Sequence, residues 1–290
     1  MIKRRDFIIN SSLVLGALAI APSLAFSTKQ RNIGLQLYTL RNMFSKDVKG
    51  TLEFVAKTGY NEIETYGYSA EKGFFGTSVK DFKKILADNG LKAPSGHYEF
   101  NSFIKNGNTD FLKSCMECAN QLESEYITVP HLDEKLRSNL DDYKRIAQKL
   151  NEAAVLCKQA GLKLGYHNHD FEFKKFGTQT GYDILLAETD KELVDFELDL
   201  YWAVRSGNNP LELFEAHPGR FTMWHVKDMD KLKTEWNTEV GDGTINFKTI
   251  FAAAQLSGMK HFFVEQETNY KPDLLESTVK SFNYIKKKLI

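Results

Sequence analysis

The apolar positions along this chain alternate between a period of two and a period near 3.6 residues, and this alternation predicts the fold. Short runs rich in β-branched and aromatic residues predict eight strands, at 33–38, 62–66, 92–97, 126–129, 163–169, 193–198, 221–226 and 262–266. Segments with helical apolar spacing follow them, at 51–57, 80–88, 109–121, 141–159, 182–188, 211–217, 247–256 and 273–288. Strand and helix therefore alternate eight times.

Eight such pairs in one chain predict a single (β/α)8 TIM barrel of the α/β class. Without the first 25 residues, which are discussed below, the chain of 290 residues is close to the length of about 250 that is typical of this barrel, and no Pro/Gly/Ser-rich linker divides its interior. An open, doubly wound sheet is the alternative. It usually carries a Gly-rich phosphate loop after its first strand, whereas residues 37–41 contain no glycine.

The first 25 residues have the pattern of a signal peptide. Lys3, Arg4 and Arg5 precede an apolar run at 13–20, and the small residues Ser23 and Ala25 suit a cleavage site. Arg4-Arg5 resembles a twin-arginine export motif, with an ordinary secretory signal as the alternative. We therefore expect a signal peptide at 1–25, a barrel domain at 26–290, twin-arginine or general export machinery as a partner, and a periplasmic or otherwise exported protein without a stable membrane anchor.

Composition narrows the class of ligand. The chain has 38 basic and 38 acidic residues, so it lacks the positive charge that nucleic-acid binding needs, and we expect no nucleic-acid partner. Its three cysteines are too few for a disulfide framework and are expected to be buried thiols. The composition favours an ordinary globular protein that acts on a small molecule, and it leaves the oligomeric state open.

The late positions of the predicted strands are unusually polar. In a TIM barrel these positions meet at the carboxyl-terminal end, where the reacting groups of such enzymes lie. A single late-strand His or Glu is usually a rim residue, but His167, Asp199, His225 and Glu265 end four consecutive strands that barrel closure brings together. This coincidence predicts one divalent metal ion, and mixed imidazole and carboxylate ligands favour Mn, Zn, Co or Fe over Mg.

Seven motifs, in order, resemble the sugar phosphate isomerase/epimerase family of the xylose-isomerase-like barrel superfamily. They are GLQLYTLR at 34–41, GYNEIE at 59–64, GYHNHDFEF at 165–173, LDLYW at 198–202, WHVKD at 224–228, VGDGTINF at 240–247 and VE at 264–265. The resemblance spans about residues 33–285. It implies that the metal ligands of strands five to eight map onto His167, Asp199, His225 and Glu265.

The fifth strand departs from the family pattern. Ketose epimerases of this superfamily carry a glutamate ligand there, which pairs with the eighth-strand glutamate across the substrate carbon. This chain offers His167 instead, or His169 two residues later. The departure argues against a symmetric epimerisation by two carboxylates and leaves enolisation or elimination with one carboxylate base open.

The mechanism expected from these residues is metal-assisted enolisation of a carbonyl compound. Glu265 is expected to take the proton, and His169 or Lys227 to return it. A lysine beside a metal could have a lowered pKa, although a solvated rim lysine fits the sequence equally well. Three further residues are expected to bind substrate hydroxyls or to support the metal ligands by hydrogen bonds: Glu64, His97 and Glu172. Tyr38 and Trp202 are expected to stack on sugar rings.

Three functions remain open on this evidence. The first is a divalent-metal-dependent sugar isomerase or epimerase that acts through an enediolate on a small carbohydrate. The second is a metal-dependent lyase or hydratase that acts on 3-keto sugars or glycosides, which export favours because an exported enzyme meets unphosphorylated glycans. The third is a periplasmic carbohydrate binder without catalysis, which metal content would separate from the other two.

Overall fold

The structure is a closed barrel of eight parallel strands. A computed structural model describes residues 31–290, so the predicted signal peptide at 1–25 lies outside the described residues. The strands are β1 (Gly34–Gln36), β2 (Glu62–Thr65), β3 (Lys92–His97), β4 (Tyr126–Val129), β5 (Lys163–His167), β6 (Val194–Asp199), β7 (Met223–Val226) and β8 (His261–Val264). Each pairs with its neighbour in chain order, and β8 pairs with β1. The predicted TIM barrel is confirmed, and the doubly wound sheet is wrong.

Helices cover the outside of the barrel. The main ones are α1 (Val48–Thr58), α2 (Val79–Asp88), α3 (Asp110–Leu122), α4 (Leu140–Gln159), α5 (Gly181–Glu188), α6 (Pro210–Ala216), α7 (Phe247–Ala252) and α8 (Leu274–Lys288). Shorter α-helical pieces lie at Arg41–Phe44, Asn101–Asn106, Leu200–Arg205 and Ala254–Ser257. Within residues 31–290, no helix has both the length and the apolar character needed to cross a membrane.

The core has two parts. Most buried apolar side chains lie between the strands and the surrounding helices. A separate group of Tyr126, Met223 and Phe263 fills the barrel interior. Gly34 and Gly165 leave the room that this group needs, since a Cβ atom on Gly165 would lie 2.8 Å from the Met223 methyl carbon. This apolar layer fills the barrel below its polar upper end.

Three predicted strands run two residues past the carboxyl-terminal ends of the observed strands. β1 ends at Gln36 because its side chain accepts a hydrogen bond from the Tyr38 amide and starts the 3-10 helix Leu37–Leu40. β5 ends at His167, and β8 ends at Val264. Tyr38, His169 and Glu265 therefore lie just beyond the strands, in the segments that form the rim of the barrel.

The VGDGTINF motif forms a loop that Asp228 holds in place. The Asp228 carboxylate accepts hydrogen bonds from the backbone amides of Met229, Gly241, Gly243 and Ile245, at 2.9 to 3.1 Å. A Cβ atom at Gly243 would collide with this carboxylate, so the position requires glycine. The loop is fixed beside the end of β7, next to Lys227.

Candidate active site

A cavity of about 340 Å³ opens at the carboxyl-terminal end of the barrel. Its base is polar and is formed by His97, His167, His169, Lys227, Glu265 and Glu267. Its walls are mainly aromatic and include Tyr38, Tyr66, Tyr68, Tyr98, Phe111 and His131. A polar base under aromatic walls suits a small, polyhydroxylated ring.

Three of the four predicted metal ligands meet beneath this cavity, and we call Asp199, His225 and Glu265 the outer cluster. His225 Nδ1 lies 3.0 Å from Glu265 Oε2 and 3.9 Å from Asp199 Oδ2. Asp199 Oδ1 accepts a hydrogen bond from the Trp202 amide, which fixes the carboxylate at the start of the helix Leu200–Arg205. Asp199 Oδ2 is buried and has no hydrogen-bond partner.

Lys227 lies beside the outer cluster as a buried cation. Its Nζ atom is 2.9 Å from Glu265 Oε2, 2.8 Å from Glu267 Oε2 and 3.4 Å from Asp199 Oδ2. Burial alone would lower the pKa of Lys227, but these three carboxylates raise it well above its ordinary value. The structure therefore opposes a lowered lysine pKa, and Lys227 holds its proton next to Glu265.

His167 lies one level deeper, in what we call the inner cluster of His97, His167, Glu197 and His225. Glu197 Oε2 is 3.0 Å from His167 Nδ1, 2.8 Å from His97 Nε2 and 3.1 Å from His225 Nε2. Burial lowers the pKa of His167 well below its usual range, and the neighbouring imidazoles add to this. The pKa of His97 is lowered by burial but raised more strongly by Glu64 and Glu197, to about 9.

The imidazole of His225 connects the two clusters. Its Nδ1 atom faces Glu265 in the outer cluster, and its Nε2 atom faces Glu64 and Glu197 below, at 2.6 and 3.1 Å. The structure thus separates His167 from Asp199 and Glu265, which the sequence analysis placed in one ligand set. The role of His167 as a metal ligand, and the choice between it and His169, stay predictions.

His169 stands beside the cavity just past the end of β5. Its ring stacks on Phe171, with centroids 5.3 Å apart, and lies 5.6 Å from the Trp202 ring. Burial lowers the pKa of His169 well below its ordinary value, and the Lys227 charge lowers it further. The ring is therefore neutral at neutral pH, and its buried Nδ1 atom has no hydrogen-bond partner.

Glu172 supports the turn that carries His169 instead of lining the cavity. Its carboxylate accepts hydrogen bonds from the His169 amide at 2.8 Å and from the Tyr166 hydroxyl at 2.6 Å. Burial raises the pKa of Glu172 to about 7, against the effect of these hydrogen bonds. Of the two roles expected for Glu172, the geometry favours structural support over direct contact with a substrate.

The other expected substrate contacts occupy different levels. Glu64 is fully buried and accepts hydrogen bonds from Gln36 and Ser95, so it lies below the cavity. Tyr38 is at the mouth, 39% exposed, with the Arg41 guanidinium 4.6 Å from its ring centroid. Trp202 contacts the His169 ring but is not among the residues that line the cavity.

Sequence reasoning gave no role to Glu197 or Glu267. The period of two along a strand pairs Glu197 with Asp199 and Glu267 with Glu265 on shared faces, but it does not show that both members of a pair reach the site. Sequence reasoning also missed most of the aromatic wall, because Tyr68 and Phe111 lie on segments that no strand-end argument covers.

The residues of the outer cluster fit a divalent cation. Two carboxylates and one imidazole offer donor atoms within 4.8 Å of one another, all buried. Asp199 Oδ2 makes no hydrogen bond, and it shares the Lys227 ammonium, 3.4 Å away, with Glu265 and Glu267. A divalent cation would add to this compensation of the buried carboxylates. This donor set suits a first-row transition ion.

Comparison with known proteins places these features in a family. The sequence model for xylose isomerase-like TIM barrels matches residues 52–288. An inosose dehydratase of Clostridium perfringens (strain 13 / Type A) is 30% identical over 178 residues, which cover 55% of this chain and 59% of that enzyme. The match thus spans little more than half of the relative.

Two crystal structures from Parabacteroides distasonis ATCC 8503, both described as sugar phosphate isomerase/epimerase, match over most of their length. One is 31% identical with a TM-score of 0.78, and the alignment covers 90% of this chain and 96% of that one. The other is 28% identical with a TM-score of 0.74, and it covers 88% and 97%. The likeness extends to the whole described barrel.

Proposed function

This chain belongs to the xylose isomerase-like TIM-barrel family, and we propose that it is a metal-dependent enzyme that removes a proton beside a carbonyl of a sugar or cyclic polyol and then eliminates a β-hydroxyl as water. The observation that carries the proposal is the asymmetry of the cavity base. Glu265 lines it as a carboxylate, whereas the fifth-strand segment contributes the imidazoles of His167 and His169. A symmetric epimerase of this superfamily is expected to place a second carboxylate on the fifth-strand segment, and the cavity-lining residues of that segment are both histidines.

Asp199, His225 and Glu265 would hold the divalent ion. When bound, the ion supplies Lewis acidity to a carbonyl or hydroxyl oxygen of the substrate. Zn, Mn, Co and Fe all suit this donor set better than Mg.

Glu265 and Lys227 would handle the proton. The substrate C–H bond breaks and its proton passes to the Glu265 carboxylate, while the electron pair forms a C=C bond as the β C–O bond breaks. The departing hydroxyl takes a proton from the Lys227 ammonium and leaves as water. Because Lys227 Nζ is 2.9 Å from Glu265 Oε2, the proton on Glu265 can then return to the amine and restore both groups.

His169 would accept a hydrogen bond from a substrate hydroxyl. Its Nδ1 atom is buried without a partner, and stacking on Phe171 fixes the ring. A substrate hydroxyl that donates a hydrogen bond to Nδ1 would give this buried atom a partner. A purely structural role for His169 would leave the atom unpaired.

The cavity favours an unphosphorylated substrate. Among the described residues that line the cavity, Lys227 is the only lysine or arginine, and three carboxylates already surround it. A phosphate needs free cationic donors. Isomerisation of a free keto sugar is the second candidate, which the whole-length likeness to sugar phosphate isomerase/epimerase structures favours.

The test uses the whole chain loaded with Mn²⁺ and a panel of free sugars, 3-keto sugars and inososes in D₂O. We expect a product lighter by one water by mass spectrometry, together with loss of the NMR signal of the proton beside the carbonyl, because that carbon becomes part of the C=C bond. A product of unchanged mass, with deuterium in two interconverting epimers, would contradict the elimination and favour the epimerase. Binding without exchange or product for every compound would favour a non-catalytic carbohydrate binder.

We also propose that the chain is exported, on the basis of the basic residues and apolar run within positions 1–25. Replacing Arg4 and Arg5 with lysine should block export if the twin-arginine route is used. Fractionation of cells that make either form would measure this, and unchanged export would indicate an ordinary secretory signal.

A further inference from the structure

The aromatic wall of the cavity does more than exclude water, and we propose that it forms a second binding site, which takes a ring joined to the reacting sugar. Five residues that line the cavity make up this aromatic subsite: Tyr66, Tyr68, Tyr98, Phe111 and His131. The substrate is then a glycoside or another sugar that carries a ring substituent. The inference rests on the function proposed above, because it assumes that the reacting sugar occupies the polar base of the cavity.

The aromatic subsite and the reacting groups lie on opposite sides of the barrel. Tyr98 follows β3 and His131 follows β4, whereas Lys227 follows β7 and Glu265 follows β8. The eight strands close in chain order, so β3 and β4 face β7 and β8 across the barrel. The cavity therefore has an aromatic side and a polar side.

The rings of the aromatic subsite hold one another in place. The planes of Tyr68 and Phe111 are 25° apart, with centroids separated by 6.1 Å, and the Tyr98 ring meets Tyr68 edge-on at 5.8 Å. Tyr68 and Phe111 are nonetheless only partly buried, so each keeps ring surface open to the cavity. Rings that are already fixed bind a flat partner at little cost in conformational entropy.

A single sugar ring does not suit the aromatic side. Polar groups hold the reacting ring at the base of the cavity, and any hydroxyl turned to the Phe111 ring would lose water without gaining a hydrogen-bond partner. A second ring stacked there would instead bury its flat face against carbon. The cavity of about 340 Å³ is within the range, about 300–1,000 Å³, of sites that enclose a drug-sized ligand, and such a ligand has more atoms than one pyranose.

The charges around the cavity disfavour an anionic substituent. Lys227 is the only lysine or arginine among the described residues that line the cavity, and it lies on the polar side among three carboxylates. On the aromatic side the lining includes Glu99, which is exposed and accepts a hydrogen bond from the Asn101 amide. A phosphate or carboxylate on the second ring would meet this carboxylate. The second ring is therefore uncharged, either a pyranose or an arene.

The first experiment measures binding without chemistry. Methyl glucoside, phenyl glucoside and the methyl glycoside of a glucose disaccharide, each in both anomeric forms, would be titrated by calorimetry into the whole chain loaded with Mn²⁺. These compounds lack a carbonyl and do not react. We expect a two-ring ligand to bind about 3–10-fold more tightly than methyl glucoside. Preference for the phenyl compound would identify an arene, and preference for the disaccharide a second sugar. Equal affinity for all three would overturn the proposal.

Variants of Phe111 show where that gain in affinity arises. In Phe111→Ala the ratio between the two-ring and one-ring affinities should fall toward one. Phe111→Leu keeps apolar volume but loses the flat ring, so it should lower the ratio even if the alanine variant folds poorly. Phe54→Ala, the same change at a half-buried phenylalanine on α1 outside the cavity lining, is the matched control and should keep the full ratio. An unchanged ratio in both Phe111 variants would overturn the proposal.

A crystal structure of the complex with phenyl glucoside provides a direct view. We expect the phenyl ring to lie against Tyr68 and Phe111, and a phenyl ring directed into solvent would overturn the proposal. The outcomes also separate the aromatic subsite from the reaction. Preference for two-ring ligands without turnover of any keto sugar would contradict only the reaction, whereas turnover of free keto sugars without that preference would contradict only the aromatic subsite.

Discussion

The two ends of the barrel both carry histidines beside carboxylates, but the histidine of the amino-terminal end is only partly buried, and the ends differ in how far these groups are satisfied. At the amino-terminal end, His261 Nδ1 lies 2.9 Å from Glu62 Oε2, and Glu125 Oε1 lies 2.8 Å from Lys163 Nζ. We call these four residues the lower cluster. None of their side-chain atoms is among the buried unpartnered atoms found within residues 31–290.

The carboxyl-terminal end is different. His169 Nδ1, Glu197 Oε1, Asp199 Oδ2 and Trp202 Nε1 are all buried there without hydrogen-bond partners. Arg220 Nε and Thr222 Oγ1, just before β7, are also buried without partners, but among the described residues only those at the carboxyl-terminal end place such atoms around a cavity. Unsatisfied polar atoms lower stability, so these four indicate groups that are available to a ligand. The comparison teaches that similar residues stabilise the fold at one end and are available for chemistry at the other.

The largest difference between the ends should appear in catalysis. Glu265→Gln keeps the shape of the side chain but removes the proton acceptor, so we expect turnover to fall about 10²–10⁴-fold. Glu125→Gln, the same change in the lower cluster, should leave turnover near the parent value while lowering thermal stability. Steady-state rates and melting temperatures of both variants provide the measurement, and equal loss of activity in the two would remove the distinction.

The next largest effect should come from metal removal, which should act only through the carboxyl-terminal end. A ligand present at a hundred times its Kd stabilises the folded state by about 2.7 kcal/mol, so a chelator should lower the melting temperature of the loaded protein by several degrees. His261→Gln should show the same shift, because its site is at the other end. Asp199→Asn should show a smaller one, and a full-sized shift in that variant would contradict the assignment of the outer cluster.

The smallest predicted effect is a pH dependence of stability from the lower cluster. Burial lowers the pKa of His261, but hydrogen bonds to Glu125 and Glu62 raise it to about 9. Because the folded-state pKa is above the unfolded value of about 6.5, the stabilisation is complete below that pH and is lost as pH rises through about 9.

His261→Gln should therefore lower the free energy of unfolding by about 1–2 kcal/mol near pH 6, and the gap from the parent protein should shrink toward pH 9. Denaturant unfolding across this range measures the gap. A gap that is constant with pH would mean that the His261 proton contributes nothing to stability.

The sequence by itself determined the barrel and the end at which chemistry takes place. Eight alternations of period without an intervening linker specify a closed (β/α)8 fold, and late-strand polar residues mark its functional end. Asp199, His225 and Glu265 were predicted this way because each lies at or next to the end of a strand, and their convergence needs only barrel closure.

Only the tertiary structure decided how deep each polar side chain lies in the barrel and which residues it contacts. A period of two tells which face a side chain is on, but the level it reaches depends on strand register, which sets Glu197 opposite His167 and Asp199 opposite His225. That register divides the histidines between two clusters and places Lys227 among three carboxylates. These contacts join residues as far apart as Glu64 and His225, whose proximity exists only once the barrel has closed.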